Sequence, residues 1–401
     1  MLNLIKRLET MTFAIKKLNN QIKHYEWGSN ELIPQFLNLE NRKGIPYAEM
    51  WMGTHIGAPS QVELDGRQSD LSKISGQLPF LFKLIAVQKP LSIQAHPNKK
   101  QAEEGFYREE EQGLSIKSPM RNYKDTNHKP EILCAISPFT MMAGFREPDV
   151  ISKSLEMILS TTPQLKELIF PLLCALENGS FSDFFRLLFN FSNIEREYLG
   201  SFIFDKEPDK YSGVISPAQW KLMKSLAAQY PHDIAVISPL YLNLLTLQPG
   251  QAVYIPSGIL HAYISGFGVE LMTSSDNVLR GGLTPKHIDI KELMNILYFV
   301  PFAPQIITPP SGAQWFCYHT PCGEFSLAFM RGSGEKIFPE KGPAVCLVTE
   351  GELETCGQTL KKGESFYVPK ADGNPVSFNG NFSLFAACAG ETVNGKDGGA
   401  Q

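Results

Sequence analysis

No stretch of the 401-residue chain stays apolar long enough to cross a bilayer. Its richest runs, LPFLF and NILYFVPF, fall far short of the roughly 18–20 residues a membrane helix needs. An excess of one charge is also missing. Lys plus Arg number 37 against 41 Asp plus Glu, a net charge of −4 with His neutral, and no basic stripe or like-charge block breaks the balance. That argues against a nucleic-acid partner. Cysteine is sparse: seven residues, an odd number without a regular framework, as expected of a reducing interior. Cys317 and Cys322, the closest pair, lack the second pair or His series of a zinc ribbon and are read as ordinary thiols. The start, MLNLIKRLETMTFAIKK, has no long apolar core and no small-residue cleavage site, so no secretion signal is expected. These absences predict a soluble cytoplasmic protein. With 43% hydrophobic residues, the chain can build cores for two or three domains.

What is present changes texture along the chain. The first 145 residues carry short β-like runs (FLFKLIAV, LSIQAH, EILCAI, FTMMAGF) punctuated by Gly, Pro and Asn. From about 149 apolar residues recur every three or four positions, as in DVISKSLEMILS and SDFFRLLFNFS, which predicts helices. In ISPAQWKLMKSLAAQYP, Ser216 is a natural N-cap with Pro217 behind it, and Trp220, Met223, Ala227 and Tyr230 share one stripe. Strand-like sequence returns at LLTLQPGQAVYIP, runs to about 300 and meets the Pro-rich connector VPFAPQIITPPSG. A last β-rich block fills 314–390. The chain is therefore read as mainly β with a helical insertion: residues 1–148 with 233–300, an insertion over 149–232, and a C-terminal unit over 301–401.

An internal repeat supports that division. LTLQPGQAVYIPSGILH (245–261) and QTLKKGESFYVPKADGN (358–374) share Leu, Gly, Tyr, Ile or Val, and Pro at a constant offset of 113 positions. The Gly suits a tight turn into a strand and the Pro ends it. Two such copies suggest two similarly built β-barrels. Five residues past the proline the first copy has His261 and the second Asn374, so the second unit is expected to lack a ligand there.

In LSIQAHPNKK, Gln94 and His96 are two apart and in a strand would point the same way. A buried amide and imidazole side by side need a common partner: other side chains, water or a metal ion. The first repeat copy, Gly250, Pro256, Gly258, His261, Ser265, resembles the second signature motif of the cupin superfamily, with Ser265 in place of the usual Asn. Gln94-Ala95-His96 with Glu131 resembles the first. The resemblance implies a double-stranded β-helix (jelly-roll) barrel holding a divalent metal, with Gln94, His96, Glu131 and His261 as ligands. Two imidazoles, a carboxylate and a weaker amide oxygen suit Zn²⁺ with room left for substrate.

The resemblance narrows further. NQIKHYEWGS, YAEMWMGTH, LSIQAHPNKK, YKDTNHKPEI and GILHAYISGFGVELMTSSDNVLRGGLTPKHID occur in this order in the type I mannose-6-phosphate isomerases, and the likeness extends from about residue 13 to 390. The first dozen residues have no counterpart, and Met11 is an alternative start to Met1. The resemblance implies interconversion of mannose 6-phosphate and fructose 6-phosphate through a cis-enediolate at one zinc ion per chain, and a monomer. It also makes Arg280 an active-site residue. Arg280 is followed by two glycines that let backbone approach a ligand, and a surface Arg in a flexible loop is the plain alternative. Lys286 and Ser92, then Lys83, are candidates for the phosphate end. His128, Lys129 and Glu270 are candidates for ring opening and proton transfer. Tyr263 shares the face of His261 and is placed at a sugar hydroxyl. Trp27, Glu49 and Asp276 fall in matching motifs. Two other functions stay open: a two-His, one-carboxylate Fe(II) dioxygenase, and a non-catalytic sugar-binding cupin.

Overall fold

The computed structural model describes residues 15–205, 213–340, 342–370 and 375–390. Phe80–Val87 is buried along its whole length, as a strand covered on both faces should be. Alternation sorts its side chains. Leu81, Lys83 and Ile85 line a large cavity, whereas Phe82, Leu84 and Ala86 join an apolar cluster behind the sheet. The same split runs through its neighbours. Glu49, Trp51, Glu270 and Met272 face the cavity, and Met50, Met52, Val269 and Leu271 face the cluster.

The larger sheet has 11 strands among the described residues, and its spine is the 13-residue strand His261–Thr273. The start of that strand pairs with Gln94–Ala95 and Phe139–Phe145. The remainder pairs with Phe80–Val87 and Glu131–Ala135. One strand thus serves two sets of partners, and it changes sets at Ser265–Gly266. The register slips between Tyr263 and Ser265, and Gly266 takes φ +138°, where a Cβ would lie 2.7 Å from Phe139. Only glycine fits that bend.

A second sheet of seven strands comes mostly from the C-terminal block. Trp315–Tyr318, Phe325–Ile337, Ser377–Ala389, Ala344–Thr355 and Ser365–Val368 lie side by side, and Lys16–Lys17 adds an edge. Its Tyr318, Phe325, Leu347 and Phe385 pack with Phe82, Ile132 and Leu271 in one cluster, so this sheet covers the back of the site-bearing sheet. Two strands cross the expected boundaries. Lys16–Lys17 pairs with Ser365–Val368, and Ile306–Ile307 pairs with Ala252–Ile255 of the larger sheet. Each sheet borrows an edge strand from the other's stretch of chain.

Both repeat copies make the same turn: Gly250 and Gly363 have φ of 85° and 87°, and each turn leads into a short strand, Ala252–Ile255 or Ser365–Val368. Asn374 lies outside the described residues, as does Met11.

The helical stretch contains Pro148–Thr161, Lys166–Glu177, Phe181–Phe189, Asn193–Asp205 and Pro217–Gln229. Ser216 caps the last in a capping box with Gln219, and Pro217 occupies the first turn. Trp220, Met223 and Ala227 are buried with Leu155, Phe184 and Leu260, and Tyr230 packs at the edge of that core. No helix among the described residues is long and apolar enough to cross a membrane. All seven cysteines, Cys317 and Cys322 included, are unpaired.

Gly266→Ala should destabilise the protein by about 2–4 kcal/mol through backbone strain and overpacking against Phe139. A urea unfolding midpoint equal to the parent's would show that the spine strand does not need this glycine.

Candidate metal centre and active site

Glu131 opens the strand Glu131–Ala135 and His261 opens His261–Thr273. His96 follows the two-residue strand Gln94–Ala95. Their ligand atoms gather within 4.8 Å of one another. His96 Nε2 lies 3.4 Å from Glu131 Oε1 and His261 Nε2 lies 3.2 Å from Glu131 Oε2. The second nitrogen of each ring meets a backbone carbonyl: His96 Nδ1 at 2.7 Å from Asn277 O, and His261 Nδ1 at 2.9 Å from Ile259 O. A carbonyl only accepts, so both Nδ1 atoms carry the proton and both Nε2 lone pairs point at the same spot. Glu131 Oε2 and His261 Nε2 are buried without a hydrogen-bond partner. Orphaned acceptors converging in a buried place are what a divalent cation would satisfy. The residues fit one.

The electrostatics agree. Burial, with the Lys129 ammonium nearby, pushes the His96 imidazole down to about 4, so the ring is a neutral ligand. Burial works to raise the Glu131 carboxyl, but the Lys129 ammonium beside it overcomes burial and holds the group well below the usual carboxylate range. Lys129 Nζ is 2.6 Å from Glu131 Oε1 and 3.3 Å from His96 Nε2.

Strand register brings the remaining groups to this centre. Gln94 is directly opposite His261 on one side and Arg280 on the other. Directly opposed residues of antiparallel strands project to the same face, so Arg280, Gln94 and His261 form one row. Gly258, part of the turn before His261, donates its N–H to His96 O at 2.8 Å and ties the two ligand motifs together.

The cavity beside the row holds about 1290 Å³ and is lined by Trp27, Glu49, Lys83, Ser92, Gln94, Lys129, Glu131, Tyr263, Glu270, Asp276, Arg280 and Lys286. Across neighbouring strands Lys83 stands opposite both Trp51 and Glu270. Its ammonium is 2.8 Å from Glu270 and 3.6 Å from Glu49, and Trp51 Nε1 donates to Glu49 at 2.7 Å. Burial opposes the Lys83 charge, but the carboxylates of Glu270 and Glu49 outweigh it and raise its pKa. Burial and these same carboxylates raise the Tyr263 hydroxyl well above its ordinary value, so it stays a neutral donor. Trp27 stacks on Tyr25 with ring centroids 5.6 Å apart. Asp276 sits 3.5 Å from His55.

Arg280, Lys286 and Lys124 also line the cavity. Burial lowers the Lys286 pKa, and Arg280 and Lys124 lower it further. Burial also lowers that of Arg280. Three cations that line one cavity, two of them felt by the third, suit an anion.

His128 is not brought to the cavity. Its Nε2 is 2.6 Å from Glu324 Oε1 of the C-terminal sheet's region, and it is not among the residues that line the cavity with Lys129 and Glu131. Several cavity or supporting residues escape sequence reading. Lys124 and Trp51 line the cavity and lie in the quoted motifs YKDTNHKPEI and YAEMWMGTH. Asn277 accepts from Lys124 N at 2.7 Å and donates to Asn127 O at 2.8 Å, while its own carbonyl orients His96. Leu222, Ser225, Gln229 and Tyr230 of the helical stretch complete the wall.

A β-rich chain that aims two imidazoles and a carboxylate at one buried point, beside a cavity lined by Arg280, Lys286 and Lys124, belongs to the metal-dependent enzymes acting on small phosphorylated or acidic molecules. The comparisons with known proteins specify the family. Residues 15–148 match the model for the catalytic domain of type I phosphomannose isomerase. The mannose-6-phosphate isomerase of Escherichia coli (strain K12) is 33% identical, covering 92% of this chain and 98% of the relative. Mannose-6-phosphate isomerase 2 of Arabidopsis thaliana is 35% identical over 88% and 89%. The crystal structure of the Salmonella typhimurium enzyme bound to substrate and zinc superimposes with a TM-score of 0.81 at 30% identity, covering 94% of this chain and all of that one. This chain belongs to the mannose-6-phosphate isomerase family.

Removing Glu131 should remove the centre. Glu131→Ala and His261→Ala chains, equilibrated with divalent metal and then desalted, should carry less than about a tenth of the parent's metal. Retention of a full equivalent would show that these side chains are not ligands.

Proposed function

We propose that the chain interconverts D-mannose 6-phosphate and D-fructose 6-phosphate through a cis-enediolate, with one zinc ion held by Gln94, His96, Glu131 and His261. The observation that carries the reading is the cross-strand row of Arg280, Gln94 and His261, which sets a permanent cation beside the ligand cluster. The curated relatives carry this activity in their names, and the Salmonella structure contains zinc and substrate. Neither a dioxygenase nor a non-catalytic sugar-binding protein finds support among them.

Moving a proton between C1 and C2 places negative charge on the two oxygens. Zinc supplies Lewis-acid stabilisation of that charge when bound. Arg280 adds a guanidinium that stays protonated even when partly buried. Lys286, Lys124 and Ser92 hold the phosphate and so fix which end of the sugar reaches the centre. Lys83, locked between Glu49 and Glu270, forms with Trp51 a rigid wall of donors and acceptors for sugar hydroxyls, and Tyr263 adds a neutral hydroxyl. Trp27 on Tyr25 and Asp276 border the mouth. Lys129 and Glu270 are the groups assigned to ring opening and proton transfer, because both face the cavity; His128 is withdrawn from that set.

The two sheets are read as two cupin-like jelly rolls, a reading supported by the shared glycine turn and by the strand His261–Thr273 serving two sets of partners. The division into 1–148 with 233–300, 149–232, and 301–401 is kept, with edge strands exchanged at 16–17 and 306–307. Seven unpaired cysteines favour a cytoplasmic location.

Arg280→Ala should retain one zinc per chain yet lose about 100-fold or more in kcat; wild-type kinetics would take Arg280 out of the mechanism. Lys286→Ala should act chiefly on binding, raising KM for mannose 6-phosphate by about tenfold. An unchanged KM would move the phosphate elsewhere.

A further inference from the structure

The loop that carries Arg280 and Lys286 is gripped from both sides. On one side Gly281 N donates to Ile93 O at 2.7 Å, and Ile93 N donates to Gly282 O at 3.0 Å. On the other side stands Asp233, just past the helix Pro217–Gln229. One oxygen of its carboxylate accepts the N–H of Leu283 at 2.6 Å, and the other accepts that of Ala235 at 2.9 Å. The fit is close: a Cβ on Gly282 would lie 2.2 Å from Ala235 Cβ and 3.1 Å from Asp233 Oδ1. A Cβ on Gly281 would press on Leu293 and Leu260. The two glycines after Arg280 therefore reflect crowding, not slackness.

Leu283, the next residue, is buried and takes φ +54°, the left-handed region that costs a non-glycine residue free energy. Such a residue persists only where its surroundings over-determine it, and strain of this kind collects at functional sites. Here the charge-assisted bond from its own N–H to Asp233 holds the conformation.

We propose that Asp233 is a positioning residue: through Leu283 it fixes the Arg280–Lys286 loop and so sets the anion-binding end of the cavity. The helical stretch then has a role beyond supplying a wall, since its exit aims the cations. This inference rests on the phosphosugar reading above, in which Arg280 and Lys286 hold the substrate. A carboxylate that merely capped the 3-10 turn Ile234–Ile237 would affect stability and leave substrate binding alone.

The test measures zinc content, kcat, KM for mannose 6-phosphate and inhibition by inorganic phosphate in full-length zinc-loaded protein. Asp233→Ala should keep its zinc while KM and the phosphate inhibition constant both rise about tenfold, the effect of losing a charge-assisted bond. Asp233→Asn, which keeps one acceptor oxygen, should shift the same constants less, and it serves if the alanine variant does not fold. Gly282→Ala, which drives a methyl into Ala235, should repeat the pattern. Lys286→Ala is the parallel control. If it raises both constants while the Asp233 variants show only a lower Tm, the grip is structural and the proposal is wrong. If Lys286→Ala itself leaves both constants unchanged, the anion end has been misplaced and the proposal falls together with that reading.

Discussion

A carboxylate with 1% of its surface exposed must still be charged, and the rest of the site follows from how Glu131 is kept so. Stripping water from a carboxylate favours the protonated form by several kcal/mol (order of magnitude) unless cations or donors replace the lost solvation. Here the Lys129 ammonium lies 2.6 Å from Glu131 Oε1, and a divalent ion held between the carboxylate and the two imidazole nitrogens would add a second positive charge. The imidazoles in turn are pinned by backbone carbonyls, so they can present lone pairs and nothing else. A centre built this way is ready for a cation, because Glu131 Oε2 and His261 Nε2 are buried without a hydrogen-bond partner that a cation would replace.

The two-faced sheet makes such a polar centre compatible with a stable fold. Period-two alternation sends Glu49, Lys83 and Glu270 to one side and Phe82, Leu84 and Leu271 to the other. The second sheet then covers the apolar side, leaving the charged side to the cavity. The strand His261–Thr273 reaches both the ligand row and the charged row, and its bend at Gly266 lets one strand do so. The exchange of edge strands ties each sheet to the other's stretch of chain.

Legibility followed strand parity and motif length. Gln94, His96, Glu131 and His261 were named through the resemblance to known motifs, and the structure gathers the ligand atoms of His96, Glu131 and His261 within 4.8 Å of one another. The cap at Ser216 and the two repeat turns were readable because each is a local feature. His128 precedes the strand Glu131–Ala135, so no alternation fixed its direction, and it meets Glu324 outside the residues that line the cavity. Lys124, Trp51 and Asn277 lay inside quoted motifs but had no local signature. Their importance comes from what faces them across the cavity. Asp233 had no signal at all, since a lone Asp after a helix reads as a cap until Leu283 is seen against it.

By itself the order of residues determined the strands, the turns at Gly250 and Gly363 and the helical stretch, because each depends on neighbours within a few positions; the candidate ligands were named through the resemblance to known motifs. Only the tertiary structure decided that Arg280, Gln94 and His261 stand in one row and that Lys83 is shared by Glu49 and Glu270. It alone decided that Asp233 meets Leu283 and that edge strands cross between sheets. Those contacts join segments tens to hundreds of residues apart, and their geometry is set by register and packing, which no local pattern encodes.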